Sequence, residues 1–277
     1  MKNSSTPDGF LNQINQLERV AFDLPPSGIG VITLSRPERL NAFDLQMLAE
    51  LRSIIWRANF DSAIKALVIT GAGRGFCSGR DIISLQYENG LSTPQYRAYV
   101  RANHEAFDDL EALEKPVVAA INGVCAGGGV ELAVACDLRV AAPSALFLLP
   151  ETQLGVIPAS GACSRMIQMI GMGRLKELVL TGDPIDAQEA WRIGLVNEVT
   201  AEEDVVARAT RYAERILRRA PQAVGMAKHV INACQSVDME TGRLLERLGQ
   251  SVLIRTDDAQ DGMAAFAEKR GAQFHGH

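Results

Sequence analysis

Two glycine-rich segments and two glutamates are the residues whose types and spacing could support catalysis. The first segment, GAGRGFCSGRD, runs from Gly71 to Asp81, and the second, NGVCAGGGVE, runs from Asn122 to Glu131. A further glutamate, Glu151, follows later in the chain. Glycines let backbone N–H groups approach a ligand without an intervening Cβ. A turn that leads into a helix also leaves N–H groups unpaired and places positive partial charge there.

This pattern predicts a site that stabilises an oxyanion. Two such turns facing one pocket would hold developing negative charge between two backbone donors. Carboxylates beside the pocket would supply a general acid and a general base, and two like charges there should separate in pKa. Glu131 and Glu151 are the candidates, because Glu131 follows three glycines in an apolar helix and Glu151 follows Pro150 after an apolar strand.

Other chemistries fit these residues less well. The first segment reads G-x-G-x-G, which differs from the G-x-G-x-x-G of a dinucleotide-binding turn. Cys77 and Cys125 have no histidine near them in sequence, which favours packing over nucleophilic attack. Ser78 lacks the G-x-S-x-G elbow of a serine hydrolase, so a serine peptidase is a minor alternative. The four histidines and five scattered cysteines predict no metal site and no disulfides.

Composition limits the class of protein. With 277 residues and 47% hydrophobic content, the chain can form one large domain or one domain with an appendage. A net charge of −5 gives no electrostatic reason to expect binding to nucleic acid or to an anionic membrane. The polar N-terminus and the lack of a long apolar run predict neither a signal peptide nor a membrane span, and we expect a cytoplasmic location.

The elements that must position the candidate residues alternate between strands and helices. Strands are predicted as a pair within 17–35 and at 65–70, 117–121, 137–141, 145–149 and 196–199. Helices are predicted at 44–60, 93–114, 130–136, 161–170, 174–181 and 187–193. Short strands that are apolar on both faces favour parallel pairing with helices covering both sides.

Beyond residue 200 the pattern is helical only, with helices predicted at 202–220, 221–234, 238–255 and 257–270. The change predicts an α/β core over residues 1–200 and a helical region over residues 201–277. Apolar stripes on these helices include Leu245 and Leu248. They could pack on a partner subunit or fold back on the chain's own core, and both possibilities stay open.

Several segments, in this order, resemble the crotonase superfamily, the enoyl-CoA hydratase/isomerase group. They are SRPERLNAF from Ser35, GAGRGFCSGRDI from Gly71, INGVCAGGGVELAVACD from Ile121, LPETQLGVIPASG from Leu149, GDPIDAQEAWRIGLVNEV from Gly182 and FAEKRGAQF from Phe266. The resemblance covers about residues 17–274. It implies an α/β spiral of ββα units with a helical C-terminal region used in trimerisation, and a homotrimer or a dimer of trimers. It also implies a coenzyme A thioester substrate.

The resemblance assigns roles to individual residues. It places the oxyanion-hole N–H groups on Arg80 and Gly128 and the catalytic glutamates on Glu131 and Glu151. We assign water activation to Glu131 and proton transfer at the α-carbon to Glu151. No metal or redox cofactor is implied, since coenzyme A arrives with the substrate. Binding residues for coenzyme A and substrate are predicted at Arg39, Ala42, Ser78, Gly79, Asp81, Ile82, Gly127 and Lys269.

The activity implied is the addition of water across the 2,3 double bond of an enoyl-CoA. Another reaction on the same scaffold is the alternative: an isomerase, which needs only Glu151, a dehydratase, a hydratase–lyase or a thioester hydrolase. Arg80 departs from the alanine common at its position in family hydratases. Its side chain could reach a coenzyme A phosphate, bind a polar acyl group or lie in solvent. An RNA-associated relative without catalysis is disfavoured by the acidic charge balance.

Overall fold

Two sheets and nine helices make up the part of the chain that the computed structural model describes, which is residues 17–82, 90–201 and 204–277. The first 16 residues of the predicted core, and residue 202, where a helix was predicted to begin, lie outside the described residues. The strands are β1 (Val20–Asp23), β2 (Ile29–Leu34), β3 (Ala66–Gly71), β4 (Gly75–Cys77), β5 (Val117–Ile121), β6 (Val124–Ala126), β7 (Leu138–Ala141), β8 (Leu146–Leu148), β9 (Ile185–Asp186) and β10 (Glu198–Val199).

The helices follow the predicted order. They are α1 (Leu45–Phe60), α2 (Thr93–Ala112), α3 (Gly128–Ala135), α4 (Ala162–Thr181), α5 (Ala187–Arg192), α6 (Val205–Ile216), α7 (Pro221–Cys234), α8 (Met239–Leu253) and α9 (Asp257–Glu268). Asp44, the first residue of the helix predicted over 44–60, is the N-cap of α1 and accepts a hydrogen bond of 2.9 Å from Met47 N. The two helices predicted within 161–181 form α4, which is interrupted at Gly171, where φ is 76° and ψ is 160°.

The larger sheet has the strand order β1-β2-β3-β5-β7-β10 and is parallel except for the antiparallel pair of β1 with β2. Helix α6 covers one face of this sheet, where Val205, Ala209 and Ala213 pack with Val68 and Val118. The other face contributes to the main core, which α1, α2 and α3 complete. Both faces of the central strands are therefore covered, as their continuous apolar sequences predict.

The smaller sheet, in the order β4-β6-β8-β9, was not predicted from the sequence. Two of its strands, β4 and β6, lie inside the glycine-rich segments, which we expected to be turns only. They pair in parallel, with Gly75 opposite Val124 and Cys77 opposite Cys125. Strands of three residues are too short to show an alternating pattern in the sequence, so only their pairing with each other identifies them as strands.

The C-terminal helices divide between two environments. Helix α6 folds back on the sheet of its own chain, whereas α7 and α8 pack mainly against each other. Leu248 and Val252 on α8 are 55% and 57% exposed, and Phe266 on α9 is 88% exposed. Leu245, on the predicted stripe, is half-buried. None of the described helices is long and apolar enough to cross a membrane.

The two glycine-rich segments touch at a position where only glycine fits. A Cβ on Gly129, in the first turn of α3, would lie 2.1 Å from the carbonyl oxygen of Cys77 on β4. Both residues are buried, and the obstructing atom belongs to the backbone. Helix α3 can therefore lie this close to β4 only because residue 129 is a glycine and has no side chain.

We predict that Gly129→Ala destabilises the fold by about 1–3 kcal/mol, the usual cost of overpacking a core. Chemical denaturation monitored by circular dichroism measures this change. The matched control is Gly173→Ala in α4, where an added Cβ meets no atom within 4 Å. Alanine there should be neutral or slightly stabilising. Equal stability of the two variants would contradict the prediction.

Candidate active site

Two asparagine side chains, the buried Asn41 and the half-buried Asn122, fix the backbone of the first glycine-rich segment. Asn41 has φ of 56° and no solvent exposure, and its Nδ2 donates to the carbonyls of Ala72 and Gly75 at 2.9 and 2.8 Å. Asn122 Nδ2 donates to the carbonyls of Gly71 and Gly73, each at 2.9 Å. The first segment is therefore held from both sides. Sequence reasoning did not single out either asparagine.

The backbone of Arg80 is oriented by the loop before α1. Phe43 N donates to Gly79 O at 2.8 Å, and Asp81 N donates to Phe43 O at 2.9 Å, which makes a parallel bridge between Phe43 and Arg80. In such a bridge the flanking residues supply the hydrogen bonds, so the N–H of the bridged residue points to the opposite side. The Arg80 N–H therefore points away from Phe43.

The second segment approaches the first at Gly128. A Cβ on Gly79, whose φ is +90°, would lie 2.9 Å from Gly128 N. Gly128 is the first residue of α3, and N–H groups at that position have no carbonyl partner within the helix. The helix N-terminus adds positive partial charge. The two amides predicted to form the oxyanion hole are thus carried by segments in direct contact.

Glu131 lies on the first turn of α3 and is 3% exposed. Its Oε1 accepts hydrogen bonds from Ser160 N at 2.6 Å and from Ala162 N at 3.2 Å. Burial raises the pKa of Glu131, and these two amides oppose the rise. One oxygen of the carboxyl group is therefore anchored by backbone amides, and the pKa nevertheless stays above its ordinary value.

Glu151 belongs to a short 3-10 helix, Pro150–Leu154, that ends at Gly155 with φ of 75°. A Cβ on Gly127 would lie 2.7 Å from Glu151 Oε1, so the carboxyl group rests against the triple glycine. Its Oε2 is buried and has no hydrogen-bond partner among the described residues. Burial, with a smaller contribution from the negative charge of Glu131, raises the pKa of Glu151 to about 7. At neutral pH this carboxyl group can therefore either donate or accept a proton.

The predicted binding residues occupy several environments. Ser78 Oγ donates to Arg39 O at 3.0 Å, which joins the loop before α1 to the first glycine-rich segment. Asp81 pairs with Arg36 Nη2 at 2.8 Å. Ala42 is buried and Ile82 is 60% exposed. Their roles in binding stay predictions.

Lys269 ends α9 in the left-handed conformation, with φ of 56°, and its side chain is exposed. Within the described part of the chain, no hydrogen bond or ion pair joins this side chain to the glycine-rich segments. Its predicted contact with coenzyme A stays a prediction.

Side chains from α2 and α4 also border the site, and sequence reasoning missed them. The Arg80 guanidinium lies 4.8 Å from the ring centre of Tyr99 on α2, within cation–π range. His104, farther along α2, has a buried Nε2 with no hydrogen-bond partner among the described residues. A positive charge on its imidazole ring would lower the pKa of Glu131. Arg165 on α4 has the same effect on Glu131. No motif identifies these residues, because their distance from the site in sequence is large.

The cysteines of the glycine-rich segments are packing residues in this structure. Both are fully buried, and burial raises the pKa of Cys77 to about 12 and that of Cys125 well above its ordinary value. Thiols in this state are poor nucleophiles, because the thiolate is the reactive form. Among the described residues no group of histidine, cysteine, aspartate and glutamate side chains is arranged to hold a metal ion.

The raised pKa of Glu151 makes stability depend on pH. The folded chain retains a proton that the unfolded chain releases between the ordinary pKa of 4.5 and about 7, so the stability contribution falls as pH rises through that window. We predict that Glu151→Gln, which cannot titrate, gains melting temperature relative to the wild type as the pH rises from 5 to 8. Thermal denaturation across this range measures the difference. A difference that is constant with pH would contradict the assignment.

Known proteins share this sequence and fold. A family model described as enoyl-CoA hydratase/isomerase matches residues 25–277. The chain is 38% identical over 247 residues to the crotonyl-CoA hydratase of Syntrophomonas wolfei, covering 89% of this chain and 94% of that protein. It is 38% identical over 243 residues to the short-chain-enoyl-CoA hydratase of Clostridium acetobutylicum, covering 87% and 92%. The crystal structure of an enoyl-CoA hydratase from Bacillus anthracis matches with a TM-score of 0.86 at 37% identity, covering 94% of this chain and all of that one. The predicted crotonase-like α/β fold is confirmed, and the chain belongs to the enoyl-CoA hydratase/isomerase family.

Proposed function

We propose that this protein is an enoyl-CoA hydratase, a lyase that adds water across the 2,3 double bond of an enoyl-CoA thioester. The observation that supports the proposal is that Arg80, Gly128 and Glu151 lie at the junction of the two glycine-rich segments. Glu131 lies in the first turn of the helix that begins at Gly128. Relatives that are named crotonyl-CoA hydratase and short-chain-enoyl-CoA hydratase share about two-fifths of its sequence and support the same activity.

The proposed mechanism begins with the thioester carbonyl between the Arg80 and Gly128 N–H groups. Attack at the β-carbon moves negative charge onto the carbonyl oxygen, and fixed donors stabilise this enolate more than the ground state. Glu131, anchored through Oε1, orients water and removes its proton as the new C–O bond forms. Glu151, with a pKa of about 7, gives its proton to the α-carbon. Glu131 then releases its proton to solvent and Glu151 takes one up from solvent, which restores the resting state.

Glu131 favours hydration over double-bond isomerisation. An isomerase moves one proton between carbons and needs only one carboxyl group, Glu151. Glu131 is nevertheless almost fully buried and is held by two backbone amides. Because burying a carboxyl group costs folding free energy, this arrangement supports a role for Glu131 in the reaction. Dehydration, hydratase–lyase chemistry and thioester hydrolysis on the same scaffold are the alternatives that a substrate screen separates.

The proposal extends to assembly and location. We propose a cytoplasmic homotrimer or dimer of trimers, with an α/β core over residues 1–200 and a helical assembly region over residues 201–277. Helices α8 and α9 each carry several exposed apolar side chains. Groups of such side chains, unlike single ones, are typical of protein–protein interfaces, which supports assembly. The proposed reaction uses no cofactor beyond the coenzyme A of the substrate, and no nucleic acid or membrane takes part.

Loss of either glutamate should abolish most turnover. We predict that Glu131→Gln and Glu151→Gln each lower kcat for crotonyl-CoA by about 10²–10⁴-fold, the usual contribution of a general acid or base. Affinity for the thioester should remain, because both variants keep the shape of the pocket. Kinetics followed by the ultraviolet absorbance of the conjugated thioester, together with calorimetric titration, measure the two effects.

The matched control is Glu50→Gln, which also removes a buried carboxylate. Glu50 Oε2 accepts hydrogen bonds from Arg19 N and Val20 N at 2.8 and 3.0 Å, on α1 and away from the glycine-rich segments. This variant should melt at lower temperature but keep kcat per folded molecule. The hydratase proposal would be rejected if the wild-type protein turned over other acyl-CoA thioesters but hydrated neither crotonyl-CoA nor a longer enoyl-CoA.

Assembly has its own test. We predict that Leu248→Glu shifts the protein from trimer or hexamer to monomer, because a charge at this exposed α8 position would be buried unpaired in an interface. Sedimentation velocity measures the mass, and circular dichroism checks that the helices remain folded. A wild-type protein that sediments as a monomer, or a variant that sediments like the wild type, would contradict this part of the proposal.

A further inference from the structure

Arg165 on α4 is a nearly buried arginine with an unusually complete set of partners. Its side chain is 9% exposed. Nη2 donates to Asp108 Oδ1 and Glu111 Oε2, each at 2.7 Å, and Nε donates to the same Glu111 oxygen at 2.9 Å. Both acids lie on one face of α2, so they fix the guanidinium between the two helices. The remaining nitrogen, Nη1, donates to Ser160 O at 3.3 Å.

The loop that Arg165 holds is the loop that anchors Glu131. Ser160 N donates to Glu131 Oε1 at 2.6 Å, and Ala162 N donates to the same atom at 3.2 Å. Between them, Gly161 adopts φ of +115°, and a Cβ there would lie 1.8 Å from Arg165 Nη1. The guanidinium thus occupies the space that a side chain at residue 161 would fill, directly against the backbone that binds Glu131.

We propose that Arg165 is a positioning residue for catalysis: it orders residues 160–162 so that their amides hold Glu131 Oε1 and leave the other oxygen directed at water. The inference rests on the proposed role of Glu131. Arg165 touches no reacting atom. It holds the loop that binds Glu131, and its positive charge also lowers the pKa of Glu131. Arginine suits this role because its planar fork can bind two acids and a carbonyl at fixed angles, which a lysine ammonium cannot do with three separated acceptors.

The first test compares Arg165→Met with Arg52→Met. Arg52 on α1 is the matched control, because it also pairs with two acids of α2, Glu105 and Asp109, each at 2.9 Å. We expect Arg165→Met to lower kcat by about 10–100-fold with little change in KM, since displacing a catalytic group by about 1 Å costs up to about 10²-fold. Arg52→Met should leave kcat unchanged. Arg165→Lys should recover only part of the loss.

Substitution of the acidic partners of each arginine gives a second comparison of kcat. The double variant Asp108→Asn with Glu111→Gln removes the partners of Arg165, and Glu105→Gln with Asp109→Asn removes those of Arg52. Only the first double variant should lower kcat. A thermodynamic cycle of Arg165→Met with Glu131→Gln should be strongly non-additive, because a loop that positions Glu131 has nothing to position once Glu131 is replaced. A purely structural arginine would lower kcat equally in both backgrounds.

A second test does not depend on the reaction. Hydrogen–deuterium exchange of the segment around residues 160–162 should be slow in the wild type, because two of its amides are bound by Glu131. Arg165→Met should speed this exchange by about tenfold or more, corresponding to loss of about 1.4 kcal/mol of local protection, and Arg52→Met should not.

The two tests separate the failure of the inference from that of the proposed function. If wild-type protein hydrates no enoyl-CoA while exchange responds as expected, the loop is positioned by Arg165 and the proposed reaction is wrong. If hydration occurs but Arg165→Met matches Arg52→Met in kcat and exchange, or if its effect is additive with Glu131→Gln, the inference is overturned.

Discussion

The structure depends on the close contact of two glycine-rich segments, which is possible only without side chains at the junction. Gly129 meets a backbone carbonyl of β4, and Gly79 lies against the first amide of α3. The parallel pairing of β4 with β6 and the hydrogen bonds of Asn41 and Asn122 keep the segments aligned. Every proposed catalytic group is placed relative to this junction, so its rigidity sets the precision of the site.

Burial of two carboxyl groups beside the junction links chemistry to stability. Desolvation raises the pKa of Glu131 and brings that of Glu151 to about 7, a value suited to proton transfer near neutral pH. The same desolvation disfavours the charged forms and makes the folded state less stable as these groups ionise. The protein offsets part of this effect at Glu131 with two backbone amides, whereas Glu151 Oε2 has no partner among the described residues.

The proposed site draws on elements that are far apart in sequence. Helix α2 contributes Tyr99 next to Arg80 and the acids that bind Arg165, and α4 contributes the loop that anchors Glu131. Arg165 was not predicted because its partners on α2 lie 54 and 57 residues away, and no local pattern identifies such pairs. In the same way, amphipathic spacing predicted that α6 would bury one face, but could not choose between its own sheet and a partner subunit.

The sequence by itself determined the family, the order of the main strands and helices, and the candidate glutamates and amides, because apolar runs, caps and glycine-rich motifs are local patterns with local causes. Tertiary structure alone decided that β4 and β6 are strands, that Asp81 pairs with Arg36, and that burial sets the pKa of Glu151. These properties arise from desolvation and pairing between distant segments. Both depend on which atoms meet in space, and that information exists only after the chain has folded.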